Sequence, residues 1–198
     1  MDQGTMGAYD RESAAFAAEW EDDQPAPADL YALLTRFFVT APTADVGSGS
    51  GRDTAWLADH GFSPVGYDAS PGLLDEARRR HPGVAFVQAA LPELAGVRRG
   101  GFANVLCETV IMHLPASDIG ASVTTLVELL APGGTLYLSW RVTPEADRRD
   151  PRGRLYTAFP SSLVTDRLAG TAILHDEETR SESSGAIVHR IVARAPPP

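Results

Sequence analysis

Three glycines at alternating positions, Gly47, Gly49 and Gly51, follow directly on the short stretch Thr43 to Val46, and no other feature constrains this chain as much. Glycine adopts left-handed dihedrals without steric penalty and lets backbone approach a ligand closely. Such a turn after a first parallel strand is where open α/β sheets place nucleotides. The reading requires strands and helices to alternate through the rest of the chain.

They do so from residue 43 onward. A strand ends at Val46, and a helix runs from the turn to about His60, with Gly61 as its stop. Pro64 to Asp68 is a strand; Ser70-Pro71 then opens a helix as N-cap and first-turn proline, and Arg78, Arg79 and Arg80 sit at its end, where the helix dipole favours cations. Val84 to Gln88 and Phe102 to Glu108 are strands, Ser117 to Leu130 is a helix ended by Pro132-Gly133-Gly134, and Thr135 to Trp140 is the fifth strand. Strands separated by helices pair in parallel through right-handed crossovers, which gives a doubly wound sheet with helices on both faces. After a short helix around Ser162 to Ala169, Thr171 to Arg180 and Ala186 to Arg194 are joined by a short polar turn, so the sheet ends on an antiparallel strand.

Two helical segments precede the first strand. Glu12 to Trp20 carries Phe16 and Trp20 at i and i+4, with Tyr9 in its frayed start, and acidic Glu21 to Pro27 breaks it. Asp29 is positioned to cap a second helix with Leu30, Leu33, Leu34, Phe37 and Phe38 on one face. The expected organisation is one domain over 1–198: a helical lid at 1–40, a ligand-binding core at 41–140, a substrate-side segment and hairpin at 141–194, and a disordered tail at 195–198.

Composition excludes several classes. All 17 basic residues are arginine, so chemistry that requires lysine, Schiff bases and lysine-bearing phosphate loops alike, is excluded. A formal net charge of −9 disfavours a nucleic-acid partner, and a patch at Arg148, Arg149, Arg152 and Arg154 reads as a solvated loop. The single cysteine, Cys107, supports neither a disulfide framework nor a cysteine-based metal site, and no metal is expected. No apolar run has membrane-span length, and the polar acidic start is not a secretory signal, so a cytoplasmic protein without a membrane partner is expected.

The spacing of the turn narrows the ligand. It is G-x-G-x-G, and the position where a dinucleotide fold needs a third small residue for helix packing holds Arg52. Asp45 precedes the glycines, an asset beside a cationic ligand and a repulsion beside pyrophosphate. Asp68 closes the second strand, where a carboxylate can accept both ribose hydroxyls. Together these residues describe an adenosine-containing ligand that is not a dinucleotide.

On these residues a resemblance rests. Ala44-Asp-Val-Gly-Ser-Gly-Ser-Gly-Arg-Asp-Thr-Ala-Trp-Leu-Ala58 is similar to the first motif of class I S-adenosylmethionine-dependent methyltransferases. Val65 to Arg78, Phe102 to Pro115 and Leu130 to Leu138 resemble that family's second-, fourth- and fifth-strand segments, in order, and the chain is most like small single-domain members of the tellurite-resistance and ubiquinone type. The resemblance implies a seven-stranded Rossmann-like sheet, S-adenosylmethionine as methyl donor with S-adenosylhomocysteine as product, and a small-molecule acceptor methylated at O, N, C or S. By the resemblance Asp45, Gly47, Ser48, Gly49 and Gly51 lie against the methionine part, Asp68 holds the ribose, and Ala69 borders the adenine. The family's aspartate after the third strand is missing; Gln88, Ala89, Ala90 and Leu91 stand there instead, which leaves the adenine to backbone, apolar contact or Gln88. Cys107 is expected as a wall beside the methionine chain, and Tyr9 as a lid contact to its carboxylate.

Methyl transfer asks mainly for proximity, with a general base where the acceptor carries a proton. His113 and Glu108 are the candidate bases; equally, His113 is a structural histidine before Pro115, and Glu108 accepts a bond from the methionine amino group. Trp140, Arg141 and Tyr156 are candidate substrate contacts, an aromatic and arginine set suited to a planar or carboxylate-bearing acceptor, with Trp140 as core the competing assignment. A nucleic-acid or protein methyltransferase, and a catalytically inactive S-adenosylmethionine-binding regulatory protein, are the alternative functions, and a monomer or homodimer is expected.

Overall fold

The computed structural model describes residues 1–198. Seven strands form one sheet: β1 (Pro42–Val46), β2 (Ser63–Asp68), β3 (Ala85–Gln88), β4 (Phe102–Cys107), β5 (Leu130–Arg141), β8 (Ala172–Arg180) and β9 (Ile187–Arg194), in the order β3-β2-β1-β4-β5-β9-β8. Between β5 and β8 the chain makes a two-stranded ribbon of β6 (Arg148–Arg149) and β7 (Leu155–Tyr156). β1 pairs in parallel with both β2 and β4, and β5 with β4, while β9 runs antiparallel between β5 and β8. The order reverses at β1 and β4, which puts a crevice at their carboxyl ends.

The faces are covered as a doubly wound sheet requires. On one, Leu30 and Leu34 of α3 (Ala28–Phe37) and Leu57 of α4 (Arg52–Asp59) pack on Leu106, Tyr137 and Val192. On the other, Ile119, Val123, Leu126 and Leu129 of α6 (Ala116–Leu129) and Val164 of α7 (Ser162–Thr165) pack on Val105, Leu136, Leu138 and Ile191. No helix joins β3 to β4; Leu91, Leu94 and Val97 of the connecting loop fill that part of the second face. α5 (Pro71–Arg80) begins as its sequence dictates, Ser70 Oγ accepting from the Leu73 N–H and Pro71 occupying the first turn.

The N-terminal segment departs from expectation. Helix begins at Gln3, not Glu12, because Asp2 caps it by accepting from the Thr5 N–H at 2.8 Å. α1 (Gln3–Arg11), α2 (Ser13–Ala18) and a π-helical turn at Glu19–Asp23 follow one another, so Tyr9 lies inside a helix rather than at a frayed start. Asp29 does not cap α3: the helix starts at Ala28, and Asp29 instead pairs with buried Arg190 of β9 and accepts from the Glu182 N–H. The chain end is also held further than expected, since the Ala195 N–H donates to Gly134 and the Gly133 N–H to Pro196, fixing residues 195 and 196 of the anticipated free tail.

Candidate functional site

The carboxyl ends of β1, β2, β4 and β5 open into one cleft of about 1170 Å³, counting its solvent-open mouth, roofed by α1, the π turn and the β6–β7 ribbon.

β1 delivers the glycine turn at the cleft floor. Gly47, Gly49 and Gly51 have φ of 79°, 56° and 93°, a region other residues resist. A Cβ on Gly47 would sit 2.2 Å from Val110 Cγ2, and one on Gly49 would sit 3.0 Å from the Trp20 ring, so the turn has neither the dihedrals nor the room for a side chain. Asp68, at the end of β2, accepts from the Gly49 N–H through Oδ2 at 2.9 Å and from the Ser70 N–H through Oδ1 at 2.8 Å. Each carboxylate oxygen therefore retains accepting capacity toward the cleft, and burial pushes its pKa up. Ala69, Leu73, Ala89, Ala90 and Leu91 form the adjoining apolar wall. Ser48 and Ser50 also border the cleft, but their hydroxyls are enclosed without a protein partner, Ser48 Oγ lying behind the turn beside Gly66.

Over β4 and β5 the wall becomes polar and aromatic. Ser139 of β5 accepts from the Thr109 N–H at 3.0 Å and donates to Glu108 Oε2, holding the loop after β4 with Thr109 at φ 54°. Burial raises the Glu108 pKa above the ordinary carboxylate range. His113 is 4% exposed, and Leu155 O lies against its Nδ1. A carbonyl only accepts, so Nδ1 carries the proton and Nε2 accepts from the Tyr9 hydroxyl at 3.1 Å. Burial lowers the His113 pKa to about 4 and raises that of Tyr9 to about 12, leaving a neutral pair.

The lid is fastened at several points. Asp2 takes both terminal nitrogens of Arg149, Thr5 Oγ1 accepts from the Leu155 N–H at 2.8 Å, and Asp10 accepts from Ser70 Oγ and the Gly72 N–H. Arg152 pairs with Glu12 and Glu19, and Arg154 with Asp150. Three of the four arginines that read in the sequence as a solvated patch thus tie the ribbon together and to the lid, while Arg148 stays exposed.

Of the residues anticipated from sequence, Tyr9, Gly47, Ser48, Gly49, Asp68, Ala69, Ala89, Ala90, Leu91, Glu108, His113, Arg141 and Tyr156 line this one cleft. Five do not. Asp45 points behind the turn and accepts from Thr54 Oγ1 at 2.6 Å, and burial and the nearby Asp53 push its pKa up to about 8. Gly51 faces Phe86 and His81, and Gln88 is exposed, donating to Ala69 O. Cys107 is fully buried in the core. Trp140 stacks on His189 at 4.4 Å, on the face of β5 opposite Ser139 and Arg141. Lining residues that sequence reasoning missed include Trp20, Arg52, Asp53 and Met112. Arg52 pairs with Asp53 at 2.8 Å and donates to Trp20 O, linking the glycine turn to the lid. Glycine next to the aromatic Trp20, across a chain reversal, carries no signal in spacing.

Residues 44–134 match the family model described as "Methyltransferase domain". The chain is 32% identical over 173 residues to the demethylmenaquinone methyltransferase of Beutenbergia cavernae, covering 75% of this chain and 70% of that protein. It is 36% identical over 129 residues to the trans-aconitate 2-methyltransferase of Methylobacterium nodulans, covering 62% of this chain and 47% of that protein, so it spans only about half of that relative's length. Among solved structures, a Burkholderia thailandensis 1,6-didemethyltoxoflavin-N1-methyltransferase with bound 1,6-didemethyltoxoflavin and S-adenosylhomocysteine superposes with a TM-score of 0.71 at 23% identity, covering 98% of this chain and 88% of that one.

Proposed function

This chain belongs to the S-adenosylmethionine-dependent methyltransferases, and from that premise we propose that it transfers a methyl group from S-adenosylmethionine to a small-molecule acceptor by in-line displacement. One observation carries the reading: a single roofed cleft joins a nucleoside-shaped end, built on Asp68 and the side-chain-free turn Gly47–Gly49, to a second compartment between β4, β5 and the lid.

The residues present fit the donor. Asp68 would hold the ribose hydroxyls, Ala69, Leu73, Ala89, Ala90 and Leu91 would pack on the adenine, and the backbone of Gly47 to Gly49 would lie along the methionine chain. When bound, S-adenosylmethionine supplies an electrophilic methyl on a sulfonium, so the protein's tasks are to bring the acceptor in line, exclude water and take up a proton where the acceptor has one.

The two candidate bases divide these tasks. His113, with a pKa near 4 and its lone pair already engaged by Tyr9, is a weak base that positions the Tyr9 hydroxyl toward the acceptor. Glu108 faces the same compartment with a raised pKa and takes the proton when the acceptor is a hydroxyl or amine. The lid, pinned through Asp2, Thr5 and Asp10, excludes water over both. The cavity's floor lies beneath this roof, and the arginines near its rim are bonded to carboxylates, which favours a small acceptor over nucleic acid. We place the protein in the cytoplasm as a monomer or homodimer, which fractionation and light scattering test; no helix is long and apolar enough to cross a membrane.

Calorimetry with S-adenosylmethionine and S-adenosylhomocysteine, beside a mass-spectrometric screen of small metabolites for S-adenosylhomocysteine release, tests the proposal. Donor binding with acceptor-dependent release supports it. No binding below millimolar concentration would refute donor use, and binding without turnover across the screen would support a regulatory role instead. In Glu108→Gln, kcat should fall and lose its dependence on pH while donor affinity holds.

A further inference from the structure

Three arginines line the cleft, and two are already spoken for: Arg52 by Asp53 at 2.8 Å and Arg154 by Asp150 at 2.7 Å. Arg141, at the carboxyl end of β5, makes no ion pair. Its only hydrogen bond is a long one, 3.4 Å, from Nη1 to the Tyr156 hydroxyl, and its Nε is enclosed without any partner. Burying a guanidinium donor unsatisfied is costly, and an arginine that lines a cleft with no carboxylate partner keeps its terminal Nη2 for a charged ligand, Nε being shielded by protein. The strand itself determines where that side chain lies, since Arg141 is on the Ser139 face of β5 and so in the compartment of Glu108, Tyr9 and His113.

The remaining polar groups there do not answer the charge. Tyr9 and His113 form a neutral pair, and the Tyr156 hydroxyl, which accepts from Arg141, carries no charge. The Glu108 carboxylate is occupied by Ser139 and makes no ion pair with Arg141. Bound S-adenosylmethionine would deepen the imbalance, because its sulfonium adds positive charge beside a free guanidinium in a roofed, poorly solvated space. An anionic acceptor cancels the guanidinium charge and is also attracted by the sulfonium, an attraction that ends once the sulfonium has become a thioether. Met6 and Met112, side chains that conform to irregular apolar shapes, supply the rest of the wall.

We propose that the methyl acceptor is a small organic carboxylate with an apolar body, held by the guanidinium of Arg141. This rests on the methyl-transfer reading above and names the acceptor class for that site. Arg141 is a specificity-determining contact here: it holds the acid group and leaves the nucleophilic atom free to meet the methyl.

The test is calorimetric titration of the protein saturated with S-adenosylhomocysteine, using benzoate, cinnamate, succinate and citrate, each beside its amide. At least one acid should bind about tenfold or more tighter than its amide, the discrimination expected of a charge-assisted contact. Arg141→Gln should abolish that preference and Arg141→Lys should retain part of it, while both variants bind S-adenosylhomocysteine as the wild type does, which also certifies their fold. Equal binding of acid and amide, a preference that survives Arg141→Gln, or no binding by any of the four acids overturns the proposal. Failure of the wild type to bind S-adenosylhomocysteine is a different result, and overturns the methyl-transfer reading instead.

Discussion

Replacing Gly47 by alanine is the sharpest perturbation of the glycine turn, because two separable costs meet at one atom. The first is conformational: at φ 79° an L-residue brings its Cβ against its own carbonyl, at a cost of about 1–2 kcal/mol. The second is steric, since the added carbon would lie 2.2 Å from Cγ2, 3.1 Å from Cγ1 and 3.2 Å from Cβ of Val110. Val110 is 8% exposed and belongs to the main core, so it cannot simply swing away; overpacking of this kind costs about 1–3 kcal/mol. Gly47→Ala should therefore lose about 2–5 kcal/mol in urea unfolding, read from the midpoint at constant slope. Val110→Ala removes both methyls that the new carbon strikes and leaves only the 3.2 Å contact. The double variant should accordingly recover about 1–3 kcal/mol relative to additivity, while the dihedral cost stays. A coupling within about 0.5 kcal/mol of zero would refute the steric argument, and a single variant as stable as wild type would refute both.

Other substitutions probe the site from different sides. Asp68→Ala should weaken S-adenosylhomocysteine binding by about 1.5–3 kcal/mol, the worth of hydrogen bonds to a charged group, in a calorimetric titration; an unchanged dissociation constant would mean the ribose lies elsewhere. His113 is held uncharged when folded, with its pKa lowered from 6.5 to about 4, so the unfolded chain binds the extra proton between those values. Stability should be undiminished above pH 6.5 and fall by at most about 3 kcal/mol as pH drops through 4, and urea midpoints of His113→Gln should show a flatter profile over that window. Asp10→Ala removes the acceptor that joins the lid to Ser70 and Gly72, and should speed S-adenosylhomocysteine dissociation in stopped flow by roughly three- to tenfold, about 1 kcal/mol, without unfolding the domain. Unaltered dissociation would show that the Asp10 contact does not hold the roof.

What was legible in the sequence was whatever depends on short-range periodicity. The alternation of strands and helices, the Ser70-Pro71 start of α5 and the glycine turn are each fixed by neighbouring residues, and the sheet formed around them with the expected antiparallel strand inserted beside β5. Asp68 was legible for the same reason, ending a strand whose register against β1 the alternation sets. Parity along a strand also separates neighbouring residues. Trp140 and Arg141 are consecutive in β5, and consecutive side chains leave opposite faces, so they could not both line one cleft; Leu136 and Leu138 share the Trp140 face, and Ser139 shares that of Arg141. Cys107 and Glu108 separate in the same way at the end of β4, one in the core and one at the cleft.

The lid was less legible, because its structure is decided by contacts between residues far apart in the chain. Nothing near Asp2 announces that it will bind Arg149, and nothing in Arg148 to Arg154 announces that Arg149, Arg152 and Arg154 pair with Asp2, Glu12, Glu19 and Asp150 while Arg148 pairs with none. Charge type is visible in a sequence, whereas charge partnership is a property of the fold. The same distinction singles out Arg141. In the sequence it is one of 17 arginines, and only the folded chain shows that the other two in the cleft are matched to carboxylates and this one is not. The acceptor's chemistry is thus written in a residual, the charge left over after every internal pair has formed, and that residual becomes visible only once the long-range pairs are known.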